Sequence, residues 1–346
     1  MKIAVYAICK NEEKHIDRFI EACDEADQIV VVDTGSDDDS YTKLQSYKID
    51  LYREAIKPWR FDTARNKALS YVDDDVDFCI SIDLDEILQP GWRQAIESAF
   101  VYGNNCLTHW HYEKPSGARY RECRTHSRHG WSWRNRIHEV LHPSIAHNGS
   151  NSEMVIVHDP DVSKPRSIYL PLLDEELKEN PHDPRLRVQR SVELYRAERY
   201  SEALDDIKLA LEYSESVTWQ ERAYYCIMAA NTADELGSGD AYPFLLRAVT
   251  YAPSWRDTWY SLGKHYYKNE DYRDAHYAFE NAISVDVIDT NYQNQDAKGP
   301  IPFLMAARSA YWAKNIGRAK SIISRTLKLF PDDISCRKLY AKLMVK

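Results

Sequence analysis

The sequence predicts an α/β domain with a mostly parallel sheet, followed by an all-α domain of helical repeats. Over residues 1–160, short apolar runs rich in β-branched residues alternate with segments of helical periodicity, as in parallel sheets. From about residue 167 onward, small and aromatic residues recur at helical spacing in copies of similar length. The chain has 346 residues, enough for two separate cores, and we expect domains at 1–165 and 166–346.

Four apolar runs predict the parallel strands of the first domain. They lie at 3–9, 28–33, 49–52 and 78–82, and charged or turn-forming residues follow each of them. Helices are expected at 16–23, around Leu44 and Tyr47, at 61–71 and at 92–100. Weaker alternation at 106–112, 119–124 and 154–158 predicts further strands that complete the sheet.

The most complete helical repeat lies at residues 259–282. Its small residues let two antiparallel helices approach, and its aromatic residues fill the space between them, which is the tetratricopeptide pattern. The matching positions are Trp259, Leu262, Gly263, Tyr266, Ala275, Phe279 and Ala282. The alanines that anchor four copies are Ala203, Ala241, Ala275 and Ala319, at intervals of 38, 34 and 44 residues. We therefore expect about four tetratricopeptide-like repeats, with a generic helical bundle as the alternative.

Composition limits the classes of function. The formal net charge of −9 argues against general binding of polyanions. The seven cysteines are scattered without a C-x-x-C pair, which favours reduced thiols in the cytoplasm over a disulfide or zinc framework. The pattern His109-x-His111 with Cys106 lacks a matching second half, so we reject a zinc site there. No apolar run approaches the length of a membrane span, and we expect a soluble cytoplasmic protein.

The strand predicted at 78–82 is followed by three carboxylates within four residues, Asp83, Asp85 and Glu86. Packed carboxylates repel one another unless a cation lies between them, and hard ions such as Mg²⁺ or Mn²⁺ take oxygen ligands. Because the carboxyl ends of parallel strands share one edge, Glu12 and Asp33 are expected nearby. The alternative is a solvated turn, with Asp85 or Glu86 near a helix start.

Five motifs carry a family resemblance: Cys9-Lys10-Asn11-Glu12-Glu13, Val31-Val32-Asp33-Thr34-Gly35-Ser36, Ala64-Arg65-Asn66, Ile82-Asp83-Leu84-Asp85-Glu86 and Arg136-Ile137-His138-Glu139-Val140-Leu141. With these motifs, residues 1–160 resemble GT-A glycosyltransferases of family 2, whose core is a Rossmann-like sheet. The resemblance is to the branch that begins with Lys-Asn-Glu-Glu and often carries tetratricopeptide repeats. The sequence is also similar to bacterial glycosyltransferases, among which are peptide S- and O-glycosyltransferases.

The resemblance implies roles for the acids at the strand ends. Glu12 matches the acid beside the nucleoside, and Asp33 matches the acid that reads the edge of the nucleobase. Asp83 would lie towards the ribose, and Asp85 would bind Mn²⁺ or Mg²⁺ at the diphosphate. His158 matches a histidine that completes the metal shell. The alternatives are a helix cap or turn for Glu12 and Asp33, and a structural role for His158.

Two further motifs supply an arginine and a base. Arg65 resembles a family arginine that contacts the nucleotide, although an ion pair with the nearby Asp62 is an equal use for it. Asn66 is expected to hold a local turn. Glu139 is the candidate base that takes the proton of the acceptor, with His138 as a competitor or orienting partner.

Arginines are concentrated at residues 119–136, and guanidinium groups bind phosphate oxygens bidentately. Arg134 and Arg136 are the candidates for contact with the diphosphate, whereas the earlier arginines of this segment are expected in a solvated loop. Trp131 and Trp133 offer either flat faces to a sugar or ordinary packing.

We therefore expect a metal-dependent transferase that moves a sugar from a nucleotide-sugar donor, expected to be UDP-linked, to an acceptor hydroxyl or thiol. Inversion at the anomeric carbon is implied by the resemblance alone. The repeats would bind the acceptor or a partner: a peptide or protein, a saccharide, a lipid-linked precursor or a modified nucleic-acid base. The repeats are also a candidate surface for the formation of a homo-oligomer. The alternatives are a repeat-based binding scaffold with a degenerate transferase domain, and a nucleotide-sugar hydrolase or nucleotidyltransferase.

Overall fold

The computed structural model describes residues 1–114, 116–161, 167–287, 292 and 294–344. The chain divides into two compact units, Met1–Leu172 and Leu173–Lys346. The expected domain boundary between residues 165 and 166 lies outside the described residues and stays a prediction.

The strands of the first unit are β1 (Ile3–Cys9), β2 (Gln28–Asp33), β3 (Asp50–Arg53), β4 (Phe78–Ser81), β5 (Glu86–Leu88), β6 (Cys106–Glu113), β7 (Arg119–Ser127), β8 (Trp131–Arg134), β9 (Val140–Pro143) and β10 (Gly149–His158). The α-helices of the chain are α1 (Ile16–Ala22), α2 (Ser40–Leu44), α3 (Phe61–Ser70), α4 (Trp92–Ala99), α5 (Tyr169–Glu179), α6 (Pro184–Arg196), α7 (Tyr200–Glu212), α8 (Trp219–Leu236), α9 (Ala241–Tyr251), α10 (Arg256–Lys268), α11 (Tyr272–Ser284), α12 (Ile301–Trp312), α13 (Ile316–Leu329) and α14 (Ile334–Met344).

Eight of these strands form one sheet in the order β3-β2-β1-β4-β7-β6-β10-β5. The strands β3, β2, β1 and β4 are parallel, as the α/β prediction requires. β7 is inserted antiparallel between β4 and β6, and β5 pairs antiparallel with β10 at the edge. β8 and β9 form a separate antiparallel pair. The predicted Rossmann-like, mostly parallel sheet is confirmed.

The central strand β1 is buried on both faces, which explains its continuous apolar sequence. Ile3 and Val5 join the core cluster that also includes Phe19 of α1, while Tyr6 joins a second cluster with Val30 of β2. Helices therefore cover both faces of the sheet, and the polar residues lie where the strands end.

One of the alternatives and one local prediction for this unit are wrong. Glu86 does not start a helix; it is the first residue of β5 and is buried, because β5 pairs with β10 through His158. The helix that contains Leu44 ends there, so Tyr47 is not part of it.

The second unit consists of antiparallel helix pairs. The successive pairs α6 and α7, α8 and α9, α10 and α11, and α12 and α13 pack along the chain. The four anchoring alanines, Ala203, Ala241, Ala275 and Ala319, are all buried. Gly263 of α10 lies so close to Phe279 of α11 that an added Cβ would be 2.8 Å from the ring. The predicted domain of tetratricopeptide-like repeats is confirmed.

Across the part of the chain that the structure describes, no helix combines the length and the apolar character that a membrane crossing requires.

Candidate active site

The strands β1, β2 and β4 end at the same edge of the sheet. Parallel pairing places Cys9 beside Asp33 and Tyr6 beside Ser81, so the residues that follow these strands converge. We call the region around Glu12, Asp33 and Asp83 the carboxyl edge. In open α/β sheets this is where ligands bind.

Asp33 organises the loop that follows β2. Its buried carboxylate accepts hydrogen bonds from the backbone N–H groups of Gly35 and Ser36, at 3.1 and 3.2 Å. Gly35 has a φ of +106°, a conformation that favours glycine. Arg53 of β3 lies 3.2 Å from the same carboxylate. Asp33 thus has a structural function in its own loop, and its contact with a nucleobase stays a prediction.

Glu12 lies next to the end of this loop. Its backbone N–H donates to the hydroxyl of Ser40 at 2.7 Å, and its carboxylate lies 3.9 Å from the ring of His15. The preceding Asn11 has a φ of 57° and accepts a hydrogen bond from the backbone of Asp37 at 2.8 Å. The Lys-Asn-Glu-Glu motif and the loop after β2 are therefore fixed to each other.

Arg65 of α3 is the centre of the site. Its guanidinium is buried and lies 2.8 Å from Asp83, while its Nε donates to Glu139. It also lies over the ring of Trp133, 5.0 Å from the centroid. Burial opposes its charge, but Asp83 and Glu139 outweigh that effect and raise the pKa of Arg65. Three predicted residues that are far apart in sequence thus meet in one cluster.

The alternative partner for Arg65 is excluded by the geometry. Asp62 pairs with Arg60 instead, with Nε and Nη2 at 3.0 and 2.9 Å from its two oxygens. Asn66 does not hold a local turn either. Its amide exchanges two hydrogen bonds of 2.8 Å with the backbone of Trp133 and so attaches α3 to β8.

The pKa values of Asp83 and Glu86 shift in opposite directions. Burial opposes ionisation of Asp83, but Arg65 and Arg124 outweigh it and lower its pKa. Burial raises the pKa of Glu86 despite the opposing attraction of Arg124. Glu86 accepts a hydrogen bond from the backbone N–H of Asp83 at 2.8 Å, so it supports the position of Asp83 from behind.

Asp85 and His158 lie next to each other, as the resemblance implies. Asp85 Oδ2 is 3.5 Å from His158 Nε2, and His158 Nδ1 is 2.8 Å from Glu113. Burial alone would lower the pKa of His158, but the two carboxylates outweigh it and raise the pKa to about 10. A carboxylate and an imidazole at this separation are able to share one divalent ion. The metal roles of both residues stay predictions.

The remaining predicted residues lie around the segment between β8 and β9. Arg134 is exposed at the end of β8, whereas Arg136 is buried and its carbonyl accepts from the backbone N–H of Phe61 at the start of α3. His138 has a φ of 52°, and its ring lies 6.0 Å from that of Tyr169. The structure brings Glu139 to Arg65, but it records no such contact for Arg134 within the described residues.

The two tryptophans are part of the packing. Trp131 and Trp133 are buried, and the indole N–H of Trp133 donates to the hydroxyl of Tyr6 at 2.7 Å. Of the two predicted uses, the structure therefore favours core packing over a face for a sugar.

Sequence reasoning missed a polar row along β6 and β7. The expected solvated loop is wrong for Arg124, which lies in β7 with Nε 3.2 Å from Glu122 and one Nη 3.6 Å from Glu86. Glu113 was also missed. Burial opposes its ionisation, but hydrogen bonds from His111 and His158 lower its pKa below the usual range. Polar residues at every second position of two predicted strands were the available signal.

Residues 4–146 match the family model described as Glycosyl transferase family 2. This part of the chain is a family 2 glycosyltransferase domain. The chain is also 32% identical over 99 residues to the lipopolysaccharide core biosynthesis glycosyltransferase LpsC of Rhizobium meliloti (strain 1021). That alignment covers 28% of this chain and 36% of LpsC, so the chain spans about a third of the length of this curated relative.

The solved structures similar to this chain include repeat proteins. Yeast Tom70 aligns with 53% of this chain and 37% of its own, at 16% identity and a TM-score of 0.39. The C-terminal part of a TPR repeat-containing protein from Cytophaga hutchinsonii aligns with 51% of this chain and 64% of its own, at 16% identity and a TM-score of 0.41. The family 2 domain that the resemblance implied is confirmed by the match at residues 4–146, and the helical repeats by the packed helix pairs α6 to α13.

Proposed function

We propose that this protein transfers a sugar from a nucleotide-sugar donor to an acceptor hydroxyl or thiol. The observation that carries the proposal is the cluster of Arg65, Asp83 and Glu139 at the carboxyl edge of a family 2 domain. A scaffold with a degenerate site would have no reason to hold a buried arginine between two carboxylates at the ligand edge of its sheet, since burying charge is costly. The intact acids Glu12, Asp33 and Asp85 support the same choice.

The donor is proposed to be UDP-linked. Asp33 would read the uracil edge, Glu12 and Asp83 would accept hydrogen bonds from ribose hydroxyls, and Arg134 and Arg136 would contact the diphosphate. Arg65 positions Asp83, because its guanidinium lies 2.8 Å from that carboxylate.

Asp85 and His158 are the residues that would hold Mn²⁺ or Mg²⁺. Their ligating atoms are 3.5 Å apart, and oxygen with one imidazole is a donor set that Mn²⁺ accepts. When bound, such an ion neutralises negative charge on the diphosphate leaving group.

Glu139 is the proposed base, with His138 as the competitor. Arg65 donates to Oε1 of Glu139, so Oε2 is the oxygen offered to the acceptor proton. Deprotonation of the acceptor as it attacks the anomeric carbon would give inversion in one displacement. The pH dependence of Glu139→Gln and His138→Gln, measured on turnover, separates the two candidates.

The acceptor is proposed to bind with help from the helical repeats. A peptide or protein suits such a surface, and a saccharide is the second candidate because LpsC is named for lipopolysaccharide core biosynthesis. Lipid-linked precursors and modified nucleic-acid bases belong in the same screen, and a cytoplasmic location is part of the proposal.

The test is a panel of nucleotide sugars with Mn²⁺ or Mg²⁺, followed by thermal shift and by release of nucleoside diphosphate. A UDP-linked donor should raise the melting temperature, since it binds the native state. Asp85→Asn should abolish the metal-dependent part of that shift. The matched control is Asp27→Asn, because the Asp27 carboxylate accepts from Ile3 at the opposite end of β1.

Two outcomes would contradict the proposal. Metal-dependent nucleotide binding that survives Asp85→Asn would remove the assignment of the donor site. Free sugar released in the same amount as UDP, with no glycosylated product for any acceptor, would make the protein a nucleotide-sugar hydrolase.

A further inference from the structure

Three side chains outside the proposed donor site form a compact group on β6 and β7. His109 and His111 alternate along β6 and therefore point to one face of the sheet, and Glu122 of β7 is the cross-strand partner of His109. One potential ligand atom from each of the three residues lies within 4.8 Å of the other two. The spacing suits a small ion held by two imidazoles and one carboxylate.

The polar atoms of this group are buried without the partners that buried groups need. Among the residues that the structure describes, neither ring nitrogen of His109 makes a hydrogen bond, and the same holds for Nδ1 of His111 and Oε2 of Glu122. His109 is fully buried, and His111 is 1% exposed. Buried polar atoms in proteins are nearly always satisfied, so a group of four in one place needs a physical explanation.

The hydrogen bond on the far side of His111 fixes its orientation. Nε2 lies 3.1 Å from a carboxylate oxygen of Glu113, a group that accepts hydrogen bonds, so this contact favours the tautomer with its proton on Nε2. In the neutral ring, Nδ1 then presents its lone pair to Glu122 Oε2 at 3.6 Å and to Glu86 Oε1 at 4.0 Å. A lone pair that faces two carboxylate oxygens is repelled by them unless a cation lies between.

The distance between His111 and Glu122 agrees with tetrahedral coordination. Two ligands about 2.0–2.1 Å from a zinc ion lie roughly 3.3 Å apart at the tetrahedral angle, close to the 3.6 Å between His111 and Glu122. A carboxylate that accepts from the outer nitrogen of a ligating histidine, as Glu113 does, is the usual support of such a site. Arg124 pairs with Oε1 of Glu122, so Oε2 stays directed towards the histidines.

We propose that His109, His111 and Glu122 bind one divalent transition-metal ion, with Zn²⁺ as the best fit, at a site separate from Asp85 and His158. Two imidazoles and one carboxylate favour Zn²⁺ over Mg²⁺ or Ca²⁺. The zinc site that we rejected from sequence lacked a second half, and the structure supplies that half from the neighbouring strand.

The ion would be a structural support for the donor site. It joins β6 to β7 and lies next to Glu86, whose other oxygen accepts from the backbone N–H of Asp83. The proposal does not depend on glycosyl transfer, because the site would bind its ion whatever the substrate.

The test uses the full-length protein purified without chelators and equilibrated with Zn²⁺ in the presence of excess Mg²⁺. Metal content is measured by mass spectrometry, and Co²⁺ replaces Zn²⁺ to report the coordination by visible absorption. We expect one equivalent of zinc in the wild type and in Asp85→Asn. We expect at least a tenfold loss in His109→Gln and Glu122→Gln.

The matched control is His126→Gln. His126 is a buried histidine of β7 whose nitrogens lie 2.8 Å from the hydroxyl of Tyr6 and 2.9 Å from the carbonyl of Ser127, so both have partners. Its replacement should leave the zinc content unchanged.

Four results would overturn the proposal. The first is a wild-type protein that binds less than a tenth of an equivalent of zinc. The second is a folded Glu122→Gln variant that keeps both its zinc and its cobalt spectrum. Equal loss in His126→Gln would mean general disruption. Loss in Asp85→Asn would mean that the zinc belongs to the donor site. Glu122→Gln is nearly isosteric, so it keeps the test valid even when His109→Gln fails to fold.

Discussion

The two units of this chain bury charge for different purposes. In the first unit, Arg65 pairs with Asp83, whose side chain is still 36% exposed at the carboxyl edge. In the second unit, Asp206 pairs with Arg187 and Arg190 at 3.0 and 2.7 Å, and its side chain is only 4% exposed. The first arrangement leaves a carboxylate available to a ligand, and the second closes the contact between α6 and α7.

The difference in exposure between Asp83 and Asp206 indicates which charged group is available for ligand binding and which one stabilises the packing of helices. Buried ion pairs add little net stability, because desolvation offsets their attraction, but removing one partner is strongly destabilising. A carboxylate that stays accessible therefore has a reason beyond stability.

The largest effect is expected for Asp85→Asn. The substitution removes the negative charge proposed to hold the metal ion but keeps the shape of the side chain. Turnover should fall at least 1000-fold, equivalent to about 4 kcal/mol of transition-state stabilisation. The melting temperature should change little. The measurement is nucleoside-diphosphate release with the best donor of the panel, together with thermal unfolding.

Asp206→Asn is the matched substitution in the repeat unit and should give the opposite result. It leaves Arg187 and Arg190 without their acceptor charge, so stability should fall by about 1–3 kcal/mol while turnover stays within a few-fold. A large loss of turnover in Asp206→Asn, or a large loss of stability in Asp85→Asn, would remove the distinction between the two units.

Arg65→Met should destabilise the first unit by about 3 kcal/mol. The substitution leaves the partly exposed Asp83 and the nearly buried Glu139 without the guanidinium that pairs with both of them. Urea unfolding followed by tryptophan fluorescence measures the effect, because Trp133 lies against Arg65.

The control for Arg65 is Arg60→Met. Arg60 pairs with Asp62 at the start of α3 and is partly exposed, so its removal should cost no more than about 1 kcal/mol. Equal effects of the two substitutions would show that Arg65 is an ordinary ion-pair residue.

Much of the fold was predictable because it depends on local pattern. The strand ends at Asp33 and Ser81 follow from apolar runs that stop at polar residues, and the buried alanines Ala203 and Ala275 follow from helical spacing. These features depend only on the spacing of apolar and polar residues along the chain, which can be read from the sequence.

The polar row on β6 and β7 was not predictable, because it depends on register. A shift in pairing between Leu107 and Thr108 places His109 opposite Glu122. A slip of one residue would direct the same side chains to the other face of the sheet. Period-2 spacing predicts that His109 and His111 share a face, but it does not identify the residue across from them.

The close packing of the repeats is tested by Gly263→Ala. A Cβ at this position would lie 2.8 Å from the ring of Phe279, which is fully buried. Overpacking of this kind should lower the stability of the repeat unit by about 2 kcal/mol. The change is measured by thermal unfolding, and nucleotide binding should be unaffected.

Gly317→Ala is the control for Gly263. It lies in α13 with open space around the added Cβ, so alanine should leave stability unchanged or raise it by about 0.5 kcal/mol. Similar behaviour of the two alanine variants would mean that the contact of Gly263 with Phe279 is not tight.

The smallest effect concerns Asp257, a carboxylate that the repeat unit buries at a cost. Burial raises its pKa to about 6, above the usual value, so the native state binds a proton more tightly than the unfolded state. Its contribution to stability is therefore present below about pH 4 and is lost as the pH rises through 6.

Asp257→Asn removes this titration but keeps the oxygen that accepts from the backbone of Asn294 at 2.5 Å. The variant should match the wild type near pH 4 and exceed its stability by about 1–2 kcal/mol at pH 7. Denaturant unfolding of both proteins across this range measures the gap. A gap that does not change with pH would mean that the hydrogen bond from Asn294 is enough to keep the charge of Asp257.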